Sequence, residues 1–218
     1  MTRKKLDLIF SIGGVLLALL LLVLGLVLRN QSTFAKSYVR DQMSAQQISF
    51  TPAAGLSDDE KTSSCLTKNA GKPLASGKQA ECYANEYIGR HVKEINGGKT
   101  YSQTSGESRA ARATADKALA ADPEAQASKD LDVAAKTLAG KTDTLFKGET
   151  LRGLLLTSYG FSIFGERAGQ AAMLALLAAL VLLLASAAGL IHGMRKSSDH
   201  LLSVPSTVGA STRPVVGS

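Results

Sequence analysis

Apolar and polar positions divide this chain at first reading. Two stretches, Leu8 to Leu28 and Ala168 to Ile191, contain no Asp, Glu, Lys, Arg or His and run for 21 and 24 residues. About 20 apolar residues at 1.5 Å rise span the roughly 30 Å hydrocarbon layer of a bilayer, so each predicts a transmembrane helix. Residues 29–167 between them are mixed in character and predict an extracytoplasmic, mainly helical domain. Residues 1–7 make a short cytoplasmic head. Residues 192–218 make a cytoplasmic tail, rich in Ser, Thr, Pro and Gly and expected to be disordered. The fold class expected is an all-α membrane protein, with two transmembrane helices flanking an external domain.

Small residues recur within both spans. Ser11, Gly14 and Ala18 share one face of the first; Ala171, Ala175 and Ala179, then Ala185, Gly189 and Gly193, recur at i, i+4 in the second. Small side chains let helix backbones approach closely in lipid, so the spans are expected to pack together or against a partner helix. Neither span has a polar or ionisable stripe to line a pore.

In the loop, Phe34, Tyr38 and Met43 continue a helical spacing past Asn30, so the first helix is expected to run on and end before Ile48. Ile48-Ser49-Phe50-Thr51-Pro52 alternates and stops at proline, which predicts an extended segment or a lone strand. Ser57-Asp58-Asp59-Glu60 reads as a capping box opening a short helix toward Cys65, and Ser76-Gly77-Lys78-Gln79 as a second. After the latter, Ala80, Tyr83, Tyr87, Ile88, Val92 and Ile95 form an apolar stripe that ends at Asn96-Gly97-Gly98. Residues 105–140 are Ala-rich and charged. Two helices with small faces, broken at Asp122-Pro123 where Asp caps and Pro takes the first helical position, stand there beside partial disorder. The denser stretch from Leu145 to Phe164 carries Phe146, Leu151, Leu154, Leu155, Tyr159, Phe161 and Phe164. It suits a helix lying at or entering the outer interface, with its aromatics at headgroup level. These residues, with Gly14, Ala18, Ala171, Ala175 and Ala179, are the candidate interface.

Charge refines this layout. The net charge of +7 is spread thinly: residues 30–167 hold 18 basic against 16 acidic residues, and no basic stripe with interleaved aromatics exists, which disfavours nucleic acid as a partner. Arg3, Lys4 and Lys5 precede the first span and Arg195 and Lys196 follow the second, so the positive-inside rule places both termini in the cytoplasm and the loop outside a bacterial cell membrane. Arg29, on the opposite side, can snorkel to the headgroups. A small-residue site at Thr33-Phe34-Ala35 raises a cleaved signal peptide as the alternative to an anchor, but an apolar run of 21 exceeds the usual 7–15 residues of such peptides.

Candidate chemistry is sparse. Cys65 and Cys82 both fall in the loop, where an oxidising exterior favours a disulfide that closes a loop for about 3 kcal/mol; spacing alone does not show that they meet, and two free thiols are the alternative. No Cys-x-x-Cys, Gly-x-Ser-x-Gly, P-loop, dinucleotide fingerprint or His-Glu-x-x-His occurs. His91, His192 and His200 are not spaced to share a metal. His91 has Glu94 at i+3 and Glu86 nearby, so a hydrolase or oxidase would require those three to converge on a buried pocket.

The head Met1 to Asp7, Asp41 to Pro52, Gly77 to Tyr101 and Thr144 to Leu156 together resemble an uncharacterised family of two-span actinobacterial membrane proteins. The resemblance covers most of the chain outside the Ala-rich region and tail, and it implies topology and envelope location but no activity. Members are often labelled aromatic ring-opening dioxygenase subunits. That label needs clustered His and carboxylate iron ligands, which this sequence lacks. The cysteine pair and the long Ala-rich insert depart from the family pattern.

The function expected is that of a non-enzymatic accessory, scaffold or assembly subunit binding another cell-envelope component through its external domain and spans. No catalytic, cofactor or metal residue is assigned. The partners expected are membrane lipid and another membrane or envelope protein or a second copy. The alternative is an extracytoplasmic sensor or ligand-binding module that signals through a partner.

Overall fold

The first helix, α1 (Arg3–Ala45), is built from an almost unbroken run of Leu, Ala and Val before its polar continuation, and it passes through Thr33-Phe34-Ala35 without interruption. A computed structural model describes residues 3–195 of the chain; of the tail 192–218 expected to be disordered, residues 192–195 continue the last helix and residues 196–218 lie outside the described residues. The last helix, α7 (Gln126–Arg195), is a single element of 70 residues that takes in the whole Leu145–Phe164 stretch. Among the described residues the secondary structure is helical, apart from one isolated bridge between Ser49 and Pro73. Two compact units result, Met1–Leu28 with Ala171–Ser218, and Arg29–Gln170.

In the first unit, α1 and α7 lie antiparallel along rows of small residues. A Cβ added at Gly14 would overlap the Ser186 hydroxyl, one at Gly189 would lie 2.5 Å from Ser11 Oγ, and one at Gly193 would lie 3.6 Å from the Asp7 Cβ. A Cβ at Gly25 would lie 2.7 Å from Leu176 Cγ. Ser11, Ala18 and Gly25 on α1, and Ala172, Ala179, Ser186 and Gly193 on α7, are the buried positions, each seven residues from the next. A period of 3.5 keeps a seam facing its partner as in a coiled coil, whereas i, i+4 rows drift around the helix. For this reason the row expected on the second span shifts by one: Ala179 is buried, Ala175 half-buried and Ala171 exposed. Leu16, Leu20, Val23, Leu174, Val181 and Leu184 point outward. Both α1 and α7 are long and apolar enough to cross a membrane.

The second unit is organised by caps and one disulfide. After α1, Gln47 turns the chain with a positive φ of 52°, and the segment at Ile48–Phe50 pairs with Lys72–Leu74 through Phe50 N–H to Lys72 O (2.9 Å) and Leu74 N–H to Ile48 O (2.8 Å). The pairing buries Phe50 and Leu74 in the core. Ser57 and Glu60 form the reciprocal capping box of α2 (Asp58–Lys61), and Ser63 starts a separate helix, α3 (Ser64–Asn69), so the single short helix expected here is two. At α4 (Gly77–Cys82) only half of the expected box forms: Ser76 Oγ accepts from Gln79 N–H, but the Gln79 carbonyl turns to Ala75 N–H instead.

From Cys82 the helix widens into a π-helical stretch, Tyr83–Ile88, before α5 (Gly89–Glu94). The wider turn stacks side chains four apart: the rings of Tyr83 and Tyr87 are 4.7 Å apart and those of Tyr87 and His91 4.6 Å. Asn96, Gly97 and Gly98, with φ of 52°, 65° and 79°, end this element as glycine-rich C-termini do. Thr100 and Gln103 supply a further reciprocal capping box, not among those read from the sequence, and it opens α6 (Tyr101–Ala121).

The Ala-rich region is two ordered helices. Asp122 Oδ1 accepts from Glu124 and Ala125 N–H, both at 3.0 Å, so Pro123 belongs to the turn and not to the first helical position. The hairpin of α6 and the start of α7 closes over the buried small residues Ala115 and Ala135 and is tied across by Ser128 Oγ to Ala118 O at 3.0 Å and by Arg112 to Asp132 at 2.6 Å. Leu145 and Leu155 on α7 complete a core with Phe50, Leu66, Leu74, Ile88 and Val92.

Candidate functional site

The disulfide expected from the sequence is formed: Cys65 on α3 and Cys82 at the end of α4 are bonded, with Cα atoms 6.0 Å apart, inside the usual bridging range. It joins the two short helices whose caps set their directions. Beside it a polar cavity of about 770 Å3 is lined by Ser63, Lys68, Asn69, Lys78, Gln79, Glu81, Asn85 and Glu86, among others. Much of this lining is already engaged. Asn69 Nδ2 donates to Cys65 O at 2.9 Å, and Arg90 holds Glu86 at 2.9 Å while also reaching the Asp59 carboxylate and carbonyl of α2. Arg90 therefore staples α5 to α2. Lys68, Lys78 and Glu81 make no ion pair among the described residues.

A second cavity, of about 540 Å3, is an apolar groove between residues 38–48 and α7. Tyr38, Val39, Met43 and Ile48 form one wall, and Leu151, Leu154, Leu155 and Phe161 the other. The candidate interface residues of α7 thus separate by role. Leu151, Leu154 and Phe161 are exposed on the groove rim, and Leu155, expected on a surface, is buried in the core and forms the floor. Tyr159 is half-buried beneath Lys78, whose Nζ lies 5.5 Å from its ring centroid. Phe146 pairs with Tyr101 of α6 at 5.6 Å, and Phe164 is exposed. A Tyr38–Phe161 edge contact at 6.0 Å and a Phe34–Tyr38 stack at 5.7 Å extend the aromatic surface along α1.

Compared with protein-family models, curated proteins and solved structures, this chain matches none.

His91, Glu86 and Glu94 do not converge. His91 is exposed, with Nδ1 2.8 Å from Tyr87 O and Nε2 4.0 Å from the buried Glu60 carboxylate, itself occupied by the capping box. Glu86 and Glu94 line a different, shallow depression together with Asp59, Arg90 and Lys93. No group of three His, Cys, Asp or Glu side chains able to hold a metal ion occurs among the described residues. His192 is exposed near the end of α7, and His200 lies outside the described residues.

Electrostatic shifts mark the hairpin more than the cavities. Lys136 and Arg112 hydrogen-bond Asp132 and hold its carboxyl below the ordinary carboxylate range; Lys99, with Asn96, does the same for Glu107. Burial and then the neighbouring Tyr87 push the Tyr83 phenol up. Sequence reasoning missed the groove because one wall comes from the continuation of α1 and the other from α7, over a hundred residues later.

Proposed function

We propose that this protein is an integral membrane scaffold, with both termini in the cytoplasm and Arg29–Gln170 outside, that holds another membrane or envelope protein in its apolar groove. The observation carrying the reading is that Tyr38, Met43, Ile48, Leu151, Leu154 and Phe161 leave a groove of about 540 Å3 open on the second unit. Concave apolar surfaces with exposed aromatic rims are the usual seats of amphipathic helices.

Membrane insertion is supported by the outward-facing leucines and valines of both spans, since a core helix of a soluble protein buries such residues. Orientation is supported by the basic residues at both chain ends and by the disulfide, a bond that persists outside the reducing cytosol. Retention of the first span as an anchor is supported by its packing: removing residues up to Ala35 would strip Ser11, Ala18 and Gly25 from the small-residue seam. Affinity purification from native membranes in mild detergent, with in-membrane crosslinking from Leu154, tests the proposal. A defined second protein crosslinked to that position is expected, and recovery of only uncrosslinked monomer contradicts it. The second reading, an extracytoplasmic ligand-binding module, is favoured by the polar cavity beside the disulfide, whose lining includes Lys68, Lys78 and Glu81, three side chains that make no ion pair among the described residues.

A further inference from the structure

A third cavity of about 500 Å3 lies between α1, the start of α4 and α7, and its lining is mainly cationic in its charged groups. Lys36, Arg40 and Lys78 line it from two elements, against a single carboxylate, Glu166. All three cations are exposed side chains. Among the described residues neither lysine makes an ion pair, and Arg40 pairs only with its chain neighbour Asp41, at 3.2 Å with both side chains largely in solvent. The wall is fixed by a close approach: a Cβ on Gly77 would lie 3.4 Å from Tyr159 Cα and would collide with Ser162, so only glycine lets the start of α4 sit this near α7 and carry Lys78 to the cavity.

Position along the sequence gives this charge a meaning. Lys36 and Arg40 follow the first apolar run within twelve residues, and Ser162 and Glu166 precede the second within six. At 1.5 Å per residue Lys36 stands about 12 Å and Arg40 about 18 Å beyond the first run, past a headgroup layer of about 5–8 Å, and their side chains, tilted toward the helix N-terminus, lean back toward it. Exposed rings flank them in sequence, Phe34 on α1 and Phe161 and Phe164 on α7, as in the aromatic girdles found at that depth. Exposed Lys and Arg attract anionic lipid in whichever leaflet carries it, within about a Debye length of the surface, and a cationic pocket beside a membrane helix offers a seat for a phosphate-bearing headgroup.

We propose that the cavity lined by Lys36, Arg40 and Lys78 binds the phosphate-bearing headgroup of an anionic phospholipid. The inference rests on membrane insertion as read above. It is separable from partner docking, because its residues are not those of the apolar groove except for Val39. The test uses the full-length protein, purified in detergent, delipidated, and incubated with phosphatidylglycerol, phosphatidylcholine or inorganic phosphate before native mass spectrometry. The wild type is expected to retain one phosphatidylglycerol and no phosphatidylcholine, and K36Q/R40Q/K78Q to bind it at least tenfold more weakly. A control with equal charge loss on the hairpin, R109Q/K117Q/K141Q, retains it. Equal retention by the pocket variant, or equal retention of phosphatidylcholine, overturns the proposal. Displacement of the lipid by millimolar inorganic phosphate overturns the lipid assignment and leaves a free-anion site.

Discussion

A side chain at Gly148 would begin 2.5 Å from Cγ1 of Val92, so α7 can press against α5 only because position 148 has none. Val92 is buried and, being β-branched, has little rotamer freedom with which to withdraw. Gly148→Ala should therefore destabilise the second unit, since overpacking costs about 1–3 kcal/mol and exceeds the gain of about 1 kcal/mol in helix propensity. Gly153→Ala, on the same helix with nothing within 4 Å of the new methyl, should raise stability by up to about 1 kcal/mol. Thermal unfolding of both variants checks the opposite signs; equal shifts in one direction would show that the Gly148–Val92 contact does not decide the effect.

The Cys65–Cys82 bond closes a loop of 17 residues in a unit whose neighbouring helices are very short. By loop-closure entropy, C65S/C82S should lose about 3 kcal/mol, and reduction of the wild type should lower Tm by as many degrees as that double substitution does. In the untreated protein neither cysteine should react with maleimide until a reductant is added. Labelling without reduction would contradict the bond.

Acid should loosen the α6–α7 hairpin before the rest of the second unit. Asp132 and Glu107 have folded values depressed below their ordinary 3.8 and 4.5, so the stability they contribute is fully present above those values and is lost as pH falls through the lower folded values. Protection factors in α6, corrected for the intrinsic pH dependence of amide exchange, should fall as pH drops below about 4.5, while those around Leu66 and Leu74 stay high. In D132N the Asp132 component is absent, and the acid response should shrink. An unchanged acid response would assign the loosening to other carboxylates.

Pairing of the two apolar helices makes a geometric prediction. A Cβ at Gly189 would stand 3.8 Å from the Cβ of Ser11, and one at Gly14 3.6 Å from the Cβ of Ser186, both within the range that disulfides span. In a C65S/C82S background, S11C/G189C should crosslink under mild oxidation and keep the fragments joined after proteolysis in the loop. I12C/G189C, with Ile12 exposed, should not. Crosslinking of both pairs alike would mean the seam has no fixed register.

What could be read from sequence was local. The Ser57–Glu60 box, the Asn96-Gly97-Gly98 stop and the extended Ile48–Phe50 segment are each set by a few adjacent residues, and each stands where its motif placed it. Features that depend on distant partners were misread or unseen. The seam of Ala172, Ala179, Ser186 and Gly193 follows the 3.5-residue period that two packed helices impose, and a single straight helix does not reveal it. Leu155 carries the same signature as Leu154, yet one is buried and the other exposed, because the core that gathers Phe50, Leu66 and Leu74 takes in only one of them. The groove and the cationic cavity depend in turn on the α1–α7 pairing and on Gly77, whose role has no motif.

Sidedness is tested most directly at Ala120, an exposed position near the end of α6. In intact cells producing A120C, a membrane-impermeant maleimide should label that residue at once, whereas T2C should react only after permeabilisation. Labelling of A120C that also waits for permeabilisation would place Arg29–Gln170 in the cytosol and remove the external scaffold.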